Sequence, residues 1–526
     1  MIASLAPASF EDARRLAALV PPEANAIEWR LDLAPGRISP RALLDLDPRC
    51  AIVTYRTVRE GGRFAGTLDD YRRSVQSAYD AGAVVDVELE SGLLGDSSFL
   101  PERRRVIGSR HGPVLSEGRL RACLAHDVAA VKVVLTDPDT VAEAIGCVER
   151  VRRLSRERPV ACFATGVRGA VTRALAPRFG SALTYGSVDG RDATGAGQMP
   201  LGDLSTVYRA LDAGPPEKLF AVYGGDVSRS LSPLIHNELF RSRGLPWLYV
   251  PASASRRGAS LESPIAADLI ALDSLSKNLA GVSVTNPFKG DFGVVAEPDA
   301  EAARMGAANT LVRRRTECLE LSAHNTDVRA AREALERLGG DRVVVVGTGG
   351  AARAALAAAA ALGREAVVAG RSAAKAAALS AELGGEAIAW GDLAGAIADV
   401  WVNATPLGSE DSDPLPFPAN ALGPDSAAVD FVYRRGGETP LVREALARGA
   451  RVADGLELLA RQAVGQAALF GVADATFEEI DAILRRGPEV RAKDGRPEGG
   501  AKPGRGPEVR AKDGRPDGRA KTGRLP

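Results

Sequence analysis

Residues 343–346 are four consecutive valines, and they run directly into Gly347-Thr348-Gly349-Gly350-Ala351-Ala352 and an alanine-rich stretch. A short, continuous β-branched run reads as a strand buried on both faces of a parallel sheet. A glycine-rich turn from such a strand into a helix lets the backbone approach a pyrophosphate at the helix N-terminus. The pattern predicts a dinucleotide-binding turn in a Rossmann-type domain, with Gly347, Gly349, Gly350 and Ala351 at the phosphates and Ala352 in place of the third glycine. The next predicted strand, 366–369, ends in Gly370-Arg371-Ser372, where an NAD enzyme places an acidic residue for the ribose 2′-hydroxyl. Arg371, with Ser372 and Lys375 close by, suits a 2′-phosphate instead, so NADP(H) is the expected cofactor.

Ahead of this block the pattern differs. From residue 1 to 213, short β-rich runs alternate with longer Ala, Leu, Arg and Glu stretches of helical composition. The predicted strands are 2–5, 26–31, 51–55, 84–89, 105–109, 129–134, 159–163 and 182–185, and eight such βα units predict a closed (β/α)₈ barrel. Ala213-Gly214-Pro215-Pro216 continues neither a helix nor a sheet and marks a linker. The expected organisation is therefore a barrel over 1–213, an αβ block over 218–325, a Rossmann-type NADP-binding domain over 326–455 and closing helices over 456–485. The remainder, 486–526, carries RGPEVRAKDGRP twice, is rich in Gly, Pro and charge, and is expected to be disordered.

At 526 residues the chain exceeds one core, so more than one function is open to it. Lys+Arg and Asp+Glu both number 67, which leaves no net charge to favour nucleic acid or an acidic membrane. Small-molecule chemistry is the expectation, with no nucleic-acid or membrane partner. Five scattered cysteines without a C-x-x-C pair argue against a disulfide framework or a metal site and fit a reducing compartment. The N-terminus lacks the features of a leader, and no run approaches about 18 apolar residues, so a cytoplasmic protein is expected.

A barrel interior favours apolar side chains, which makes ionisable residues on its strands informative. Glu28 and Arg30 share a face of the second strand, Arg56 closes the third, Glu60 follows in the loop, Glu88 lies on the fourth, and His111 follows the fifth. Lys132 sits within Val131-Lys132-Val133-Val134; apolar neighbours would disfavour its charged form and free the amine for attack on a carbonyl.

These residues carry a resemblance. Residues 1–210 resemble type I 3-dehydroquinate dehydratase through Glu28-Trp29-Arg30-Leu31-Asp32, Thr54-Tyr55-Arg56 with Glu60-Gly61-Gly62, Ser109-Arg110-His111, Lys132, and Phe179 to Tyr185, in the family's order. The resemblance implies that Lys132 forms an imine with the ketone of 3-dehydroquinate. His111 would then move the C2 proton and protonate the departing hydroxyl, while Glu60 tunes His111. It also implies that Glu28, Arg30, Arg56, Arg173, Thr194 and Gln198 hold the substrate, Arg173 being the carboxylate partner. The chain departs from the family at Thr194-Gly195-Ala196-Gly197-Gln198 and Cys162-Phe163-Ala164-Thr165-Gly166.

Residues 218–485 resemble shikimate dehydrogenase. The matching segments are Ser230-Leu231-Ser232-Pro233 with His236, Val284-Thr285-Asn286-Pro287-Phe288-Lys289, Ala308-Asn309-Thr310, Asn325-Thr326-Asp327, Asn403-Ala404-Thr405, Asp430 to Tyr433, and Gly455 to Leu459 with Gln462. By that resemblance Lys289 protonates or polarises the ketone oxygen of 3-dehydroshikimate and Asp327 positions it. Ser230, Ser232 and Tyr433 bind the carboxylate, Thr285, Asn309 and Gln462 read ring hydroxyls, and Asn403, Thr405 and Gly455 lie with the cofactor. The implied whole is two consecutive enzymes, a lyase and an oxidoreductase, acting without a metal. The alternatives are a catabolic quinate or shikimate dehydrogenase fusion and a non-catalytic regulatory protein; the oligomeric state is open.

Overall fold

The alternation of inward and outward side chains along each of the first eight strands decides the architecture of residues 1–188. In the computed structural model these strands are β1 (Ile2–Leu5), β2 (Ala26–Arg30), β3 (Cys50–Thr54), β4 (Val84–Glu88), β5 (Val106–Gly112), β6 (Ala130–Leu135), β7 (Val160–Ala164) and β8 (Tyr185–Gly186). They are parallel and ordered β7-β6-β5-β4-β3-β2-β1-β8. At the seam between β7 and β8, Ala182 N–H donates to the Val160 carbonyl at 2.8 Å. Ile2, Ala26, Ile52, Val84, Ile107, Val134, Ala161, Phe163 and Tyr185, drawn from every strand, meet in one interior cluster, as a barrel requires. Their outward neighbours, such as Val131, Val133 and Val160, pack in the larger core that includes residues of the surrounding helices.

Two strand expectations shift. The run at 182–185 forms a ladder only at Tyr185–Gly186, and β5 extends to Gly112, so His111 lies on the strand rather than after it. The structure describes residues 1–36, 38–155, 158–188, 193–212, 214–255, 263–434 and 437–486. Ala213 of the linker and 487–526 of the repeat tail lie outside the described residues.

The second sheet holds β9 (Lys218–Gly224), β10 (Trp247–Ser253), β11 (Leu279–Val284), β12 (Ala296–Pro298), β13 (Thr310–Arg313) and β14 (Leu321–His324), ordered β10-β9-β11-β13-β14-β12. β9, β10 and β11 run parallel, and β13 pairs antiparallel with β11 and β14. The third sheet is wholly parallel: β15 (Arg342–Val346), β16 (Glu365–Ala369), β17 (Glu386–Ile388), β18 (Val400–Asn403), β19 (Ala427–Asp430) and β20 (Arg451–Ala453). Its order, β17-β16-β15-β18-β19-β20, is the doubly wound 3-2-1-4-5-6 arrangement, which opens a crevice beyond β15 and β18 where the order reverses. The valine run fills β15 with fully buried side chains. The helix Gly455–Phe470 returns to the second sheet and packs Ala463, Ala467 and Phe470 against Phe220 and Val222.

Residues Met1–Leu484 form one compact unit. Within it the barrel helix Val141–Ser155 packs on helix Ile265–Ser276, and helix Gly166–Leu175 packs on β10. Among the described residues no helix is long and apolar enough to cross a membrane.

Gly347 follows β15 with φ +133°, and a Cβ there would lie 2.5 Å from the Ala404 carbonyl oxygen at the start of the neighbouring turn. Gly347→Ala is expected to lower unfolding stability by about 1–3 kcal/mol. Urea denaturation followed by tryptophan fluorescence checks this, and an unchanged midpoint would contradict it.

Candidate active sites

Lys132 and Val134 lie two apart on β6 and face the barrel interior, where β2 and β4 supply acids. Lys132 Nζ is 2.5 Å from Asp86 Oδ2, 3.6 Å from Glu28 Oε1 and 4.6 Å from the centre of the Tyr185 ring. The apolar surroundings expected from its sequence neighbours are thus not those of its amine: Val131 and Val133 point outward, and the amine meets carboxylates. Asp86 also accepts from Arg56 Nη2 at 2.7 Å and from Ser109 Oγ. Burial alone would raise the Asp86 carboxyl, but Arg56 and Lys132 hold it well below the ordinary range.

Arg56 is the hub of this cluster, donating to Glu60 at 3.2 Å, Glu88 at 3.3 Å and Ser109 at 2.8 Å as well as to Asp86. Glu60, at the end of a 3₁₀ turn, accepts from the His111 backbone N–H at 2.9 Å, and the same oxygen is 3.1 Å from His111 Nδ1. Burial raises Glu60 to about 7 against the pull of Arg56. His111 is driven well below its usual value by burial and then by Arg56 and Lys132, so it is neutral at pH 7.

Glu28 accepts from Thr54 Oγ1 at 2.9 Å and from Ser4 Oγ. Arg30 is bidentate with Asp32 at 2.8 and 2.9 Å and reaches the Thr194 carbonyl at 3.1 Å. Gln198 Oε1 accepts from Thr194 N–H at 2.8 Å. Arg173 differs from these. It is 4 % exposed, lies over the Phe163 ring at 4.5 Å, is pushed down to about 10 by burial, and its Nε has no hydrogen-bond partner among the described residues. A buried cation with an unused donor suits an incoming anion. Glu28, Arg30, Arg56, Glu60, His111, Lys132, Arg173, Thr194 and Gln198 all line one cavity of 540 Å³. Asp86 was missed, although Asp86 and Glu88 show the same two-residue spacing that singled out Glu28 and Arg30.

A second cavity, of 740 Å³, is lined by Ser230, Ser232, Thr285, Lys289, Asn309, Asp327, Tyr433 and Gln462, together with Ala351 and Gly455. Lys289 follows the loop after β11, and Asp327 lies in the first turn of helix Thr326–Leu338, its N–H accepted by the Asn325 cap. Lys289 Nζ donates to Asp327 Oδ2 at 2.6 Å, and Asn309 Nδ2 donates to Asp327 Oδ1 at 2.8 Å. Asn309 Oδ1 accepts from Thr326 N–H at 2.9 Å and Thr310 Oγ1 at 2.9 Å, which fixes its orientation. Gln466, one turn beyond Gln462, also lines the cavity and accepts from Ser283 Oγ at 2.9 Å; the i, i+4 spacing of the two glutamines was its signal. His236 is fully buried, stacks on Tyr249 at 4.7 Å and is lowered to about 4 by burial, so it packs behind the serines.

The nucleotide turn adjoins this cavity. A Cβ on Gly350 would sit 3.2 Å from Lys289 Cδ, and one on Gly455 would sit 2.2 Å from the Val432 carbonyl oxygen. Gly349 caps helix Gly350–Ala361 with no side-chain hydrogen bond, leaving that end to a ligand's oxygens, while Ala352 is buried in the core. Arg371 is exposed in the turn after β16, and Ser372 caps the next helix by accepting from Lys375 N–H. This donor set fits a phosphorylated dinucleotide. Asn403 Nδ2 donates to the Leu407 carbonyl and to Asp430 Oδ1, and its Oδ1 accepts from Thr405 N–H and, at 2.7 Å, from Thr405 Oγ1, so this pair shapes the turn after β18.

Residues 2–215 match the family model of type I 3-dehydroquinase, and residues 222–311 match that of the shikimate dehydrogenase substrate binding domain. Over 482 residues the chain is 28% identical to the chloroplastic bifunctional 3-dehydroquinate dehydratase/shikimate dehydrogenase of Arabidopsis thaliana, spanning 84% of this chain and 76% of that protein. It is 33% identical over 274 residues to the shikimate dehydrogenase (NADP(+)) of Methanothrix thermoacetophila, covering 51% of this chain and 97% of the relative. It is 35% identical over 285 residues to that of Halobacterium salinarum, covering 51% and 98%. The chain belongs to the shikimate dehydrogenase family, with a type I 3-dehydroquinase region fused ahead of it.

Asp86→Ala leaves Arg56 and Lys132 buried without their shared carboxylate. It is expected to lower unfolding free energy by about 3–5 kcal/mol. A urea titration measures this, and a loss below about 1 kcal/mol would contradict the central place given to Asp86.

Proposed function

We propose that the chain dehydrates 3-dehydroquinate to 3-dehydroshikimate in the first cavity and reduces 3-dehydroshikimate to shikimate with NADPH in the second. The observation that carries this reading is that each cavity is lined by the whole set of substrate and acid–base side chains its family resemblance implies. The domain division proposed with it is 1–213, 218–325, 326–455 and 456–485.

In the first cavity the Lys132 amine adds to the substrate ketone, and loss of water from the carbinolamine gives a protonated imine. Asp86 is the counter-ion that favours this cation. His111, neutral at pH 7, takes the C2 proton; the resulting enamine expels the C1 hydroxyl, to which His111 returns the proton, and water leaves. Hydrolysis then frees Lys132. Glu60 as a carboxylate accepts the Nδ1 proton of His111 and makes the other ring nitrogen more basic. Arg173 binds the substrate carboxylate.

In the second cavity Ser230, Ser232 and Tyr433 bind the carboxylate, and Thr285, Asn309 and Gln462 orient the ring. NADPH, when bound through the Gly347–Ala351 turn and Arg371, supplies the hydride. Lys289 gives a proton to the developing alkoxide, and Asp327 holds the ammonium toward it. Arg371 supports the NADP-linked reductive direction.

Lys132→Ala is expected to abolish borohydride-trapped adducts and dehydratase turnover while ketone reduction continues; a trapped adduct in the variant would remove Lys132 from the mechanism. Lys289→Ala is expected to lower the reductase kcat by roughly 10²-fold or more with the NADPH KM little changed. Near-normal turnover in that variant would reassign the proton donor.

The pH profile gives a separate test. His111 must be neutral to act as base and its pKa is depressed, so the acid limb of dehydratase kcat/KM falls below the usual histidine value near 6.5. Ionisation of Glu60 adds a rise near 7 that Glu60→Gln removes. In Glu60→Gln, where that rise is gone, an acid limb above 6.5 would contradict the neutral-histidine assignment.

A further inference from the structure

The first cavity is lined in part by Thr136, Asp137 and Thr165, from the segments that follow β6 and β7. The same two segments touch the second half of the chain. After β6, the Ala142 N–H at the start of helix Val141–Ser155 donates to Asp268 Oδ1 at 2.7 Å. After β7, Arg168 bridges the Pro138 carbonyl at 3.1 Å and Ser255 Oγ at 2.7 Å. The first amides of a helix have no partner within it, and its dipole favours a negative group there, so a carboxylate reaching in from a neighbouring helix is well placed. Asp268 has no solvent exposure, and its second oxygen accepts from the Tyr223 hydroxyl at 2.8 Å.

Tyr223 holds the lysine loop at both ends. Its carbonyl accepts from Thr285 N–H at 2.8 Å, and its ring packs on Phe288 with centroids 5.1 Å apart. Phe288 immediately precedes Lys289. Both rings are fully buried, so a displacement of Tyr223 passes to the turn instead of being absorbed by a void. Asp268 lines neither cavity.

We propose that Asp268 is a positioning residue by which the barrel half holds the Thr285–Lys289 loop of the other half in its working geometry. The proposal rests on the reading of the second cavity as a ketone reductase. It makes barrel backbone part of that reductase's support, so the fusion contributes to the second reaction without any passage of substrate between cavities.

The chemistry of the contacts sets the test. Asparagine can keep both: its carbonyl accepts Ala142 N–H and its amide donates to the Tyr223 oxygen. Alanine loses both, and Tyr223→Phe loses one. In the full-length chain, Asp268→Ala is expected to lower the kcat for 3-dehydroshikimate reduction about tenfold, because small displacements of a catalytic group are costly. The NADPH KM and dehydratase turnover stay within about twofold in that variant. Asp268→Asn keeps most of the wild-type kcat, Tyr223→Phe loses several-fold, and Asp268→Ala with Tyr223→Phe is no worse than Asp268→Ala alone.

Normal reductase turnover in Asp268→Ala, or an Asp268→Asn as impaired as Asp268→Ala, overturns the proposal. So does a fall of both activities together with thermal stability. Should Asp268→Ala fail to fold, Tyr223→Phe decides, and wild-type turnover in it overturns the proposal. A wild-type chain that reduces no ketone overturns the reading of the second cavity and this proposal with it; a wild-type chain that does, with an unimpaired Asp268→Ala, overturns the proposal alone.

Discussion

Asp86 sits 2.7 Å from Arg56 and 2.5 Å from Lys132 inside the barrel, and the charge balance of the first cavity turns on that carboxylate. Buried cations are costly unless paired, and Asp86 is shared between two of them. Because Arg56 also donates to Glu60 and Glu88, the acid that orients His111 belongs to the same network as the one beside Lys132. The nucleophile and the base of the proposed dehydration are therefore positioned by one set of ion pairs on β4, β5, β6 and the segment that follows β3. Arg173, whose Nε has no partner among the described residues, stands outside that set and remains available for an anion.

The second cavity solves a similar problem with neutral groups. Asn309 uses its carbonyl on Thr326 and Thr310 and its amide on Asp327, so the aspartate that meets Lys289 is held from the second sheet. Gly350 lets the nucleotide turn come within van der Waals reach of the Lys289 stem, which places the proposed proton donor beside the site of the proposed hydride donor. Both cavities lie within one compact unit, and the contacts of Asp268 and Arg168 join the segments beyond β6 and β7 to the elements that carry the lysine loop.

Much of this was legible in the sequence because periodicity and turn chemistry are local. The valine run, the glycine turn and most barrel strands fall within one or two residues of their expected bounds, and the ionisable residues of the barrel strands do converge. What stayed hidden was through-space. Val131 and Val133 flank Lys132 in the chain but face away from it in a strand of period two, while the acids that surround its amine come from β2 and β4. The hydrogen bonds by which Asn403 and Thr405 close the turn after β18 leave no mark in their motif. Asp268 carries no motif, since its meaning depends on a helix start 126 residues earlier.

Two consecutive reactions on one chain can be followed in a single coupled assay. Purified full-length protein given 3-dehydroquinate, with NADPH and NADH in parallel, is followed by enone absorbance and cofactor oxidation. The expected result is enone formation, preferential oxidation of NADPH and shikimate as product. Accumulation of the enone without cofactor oxidation, or oxidation without shikimate, would contradict it.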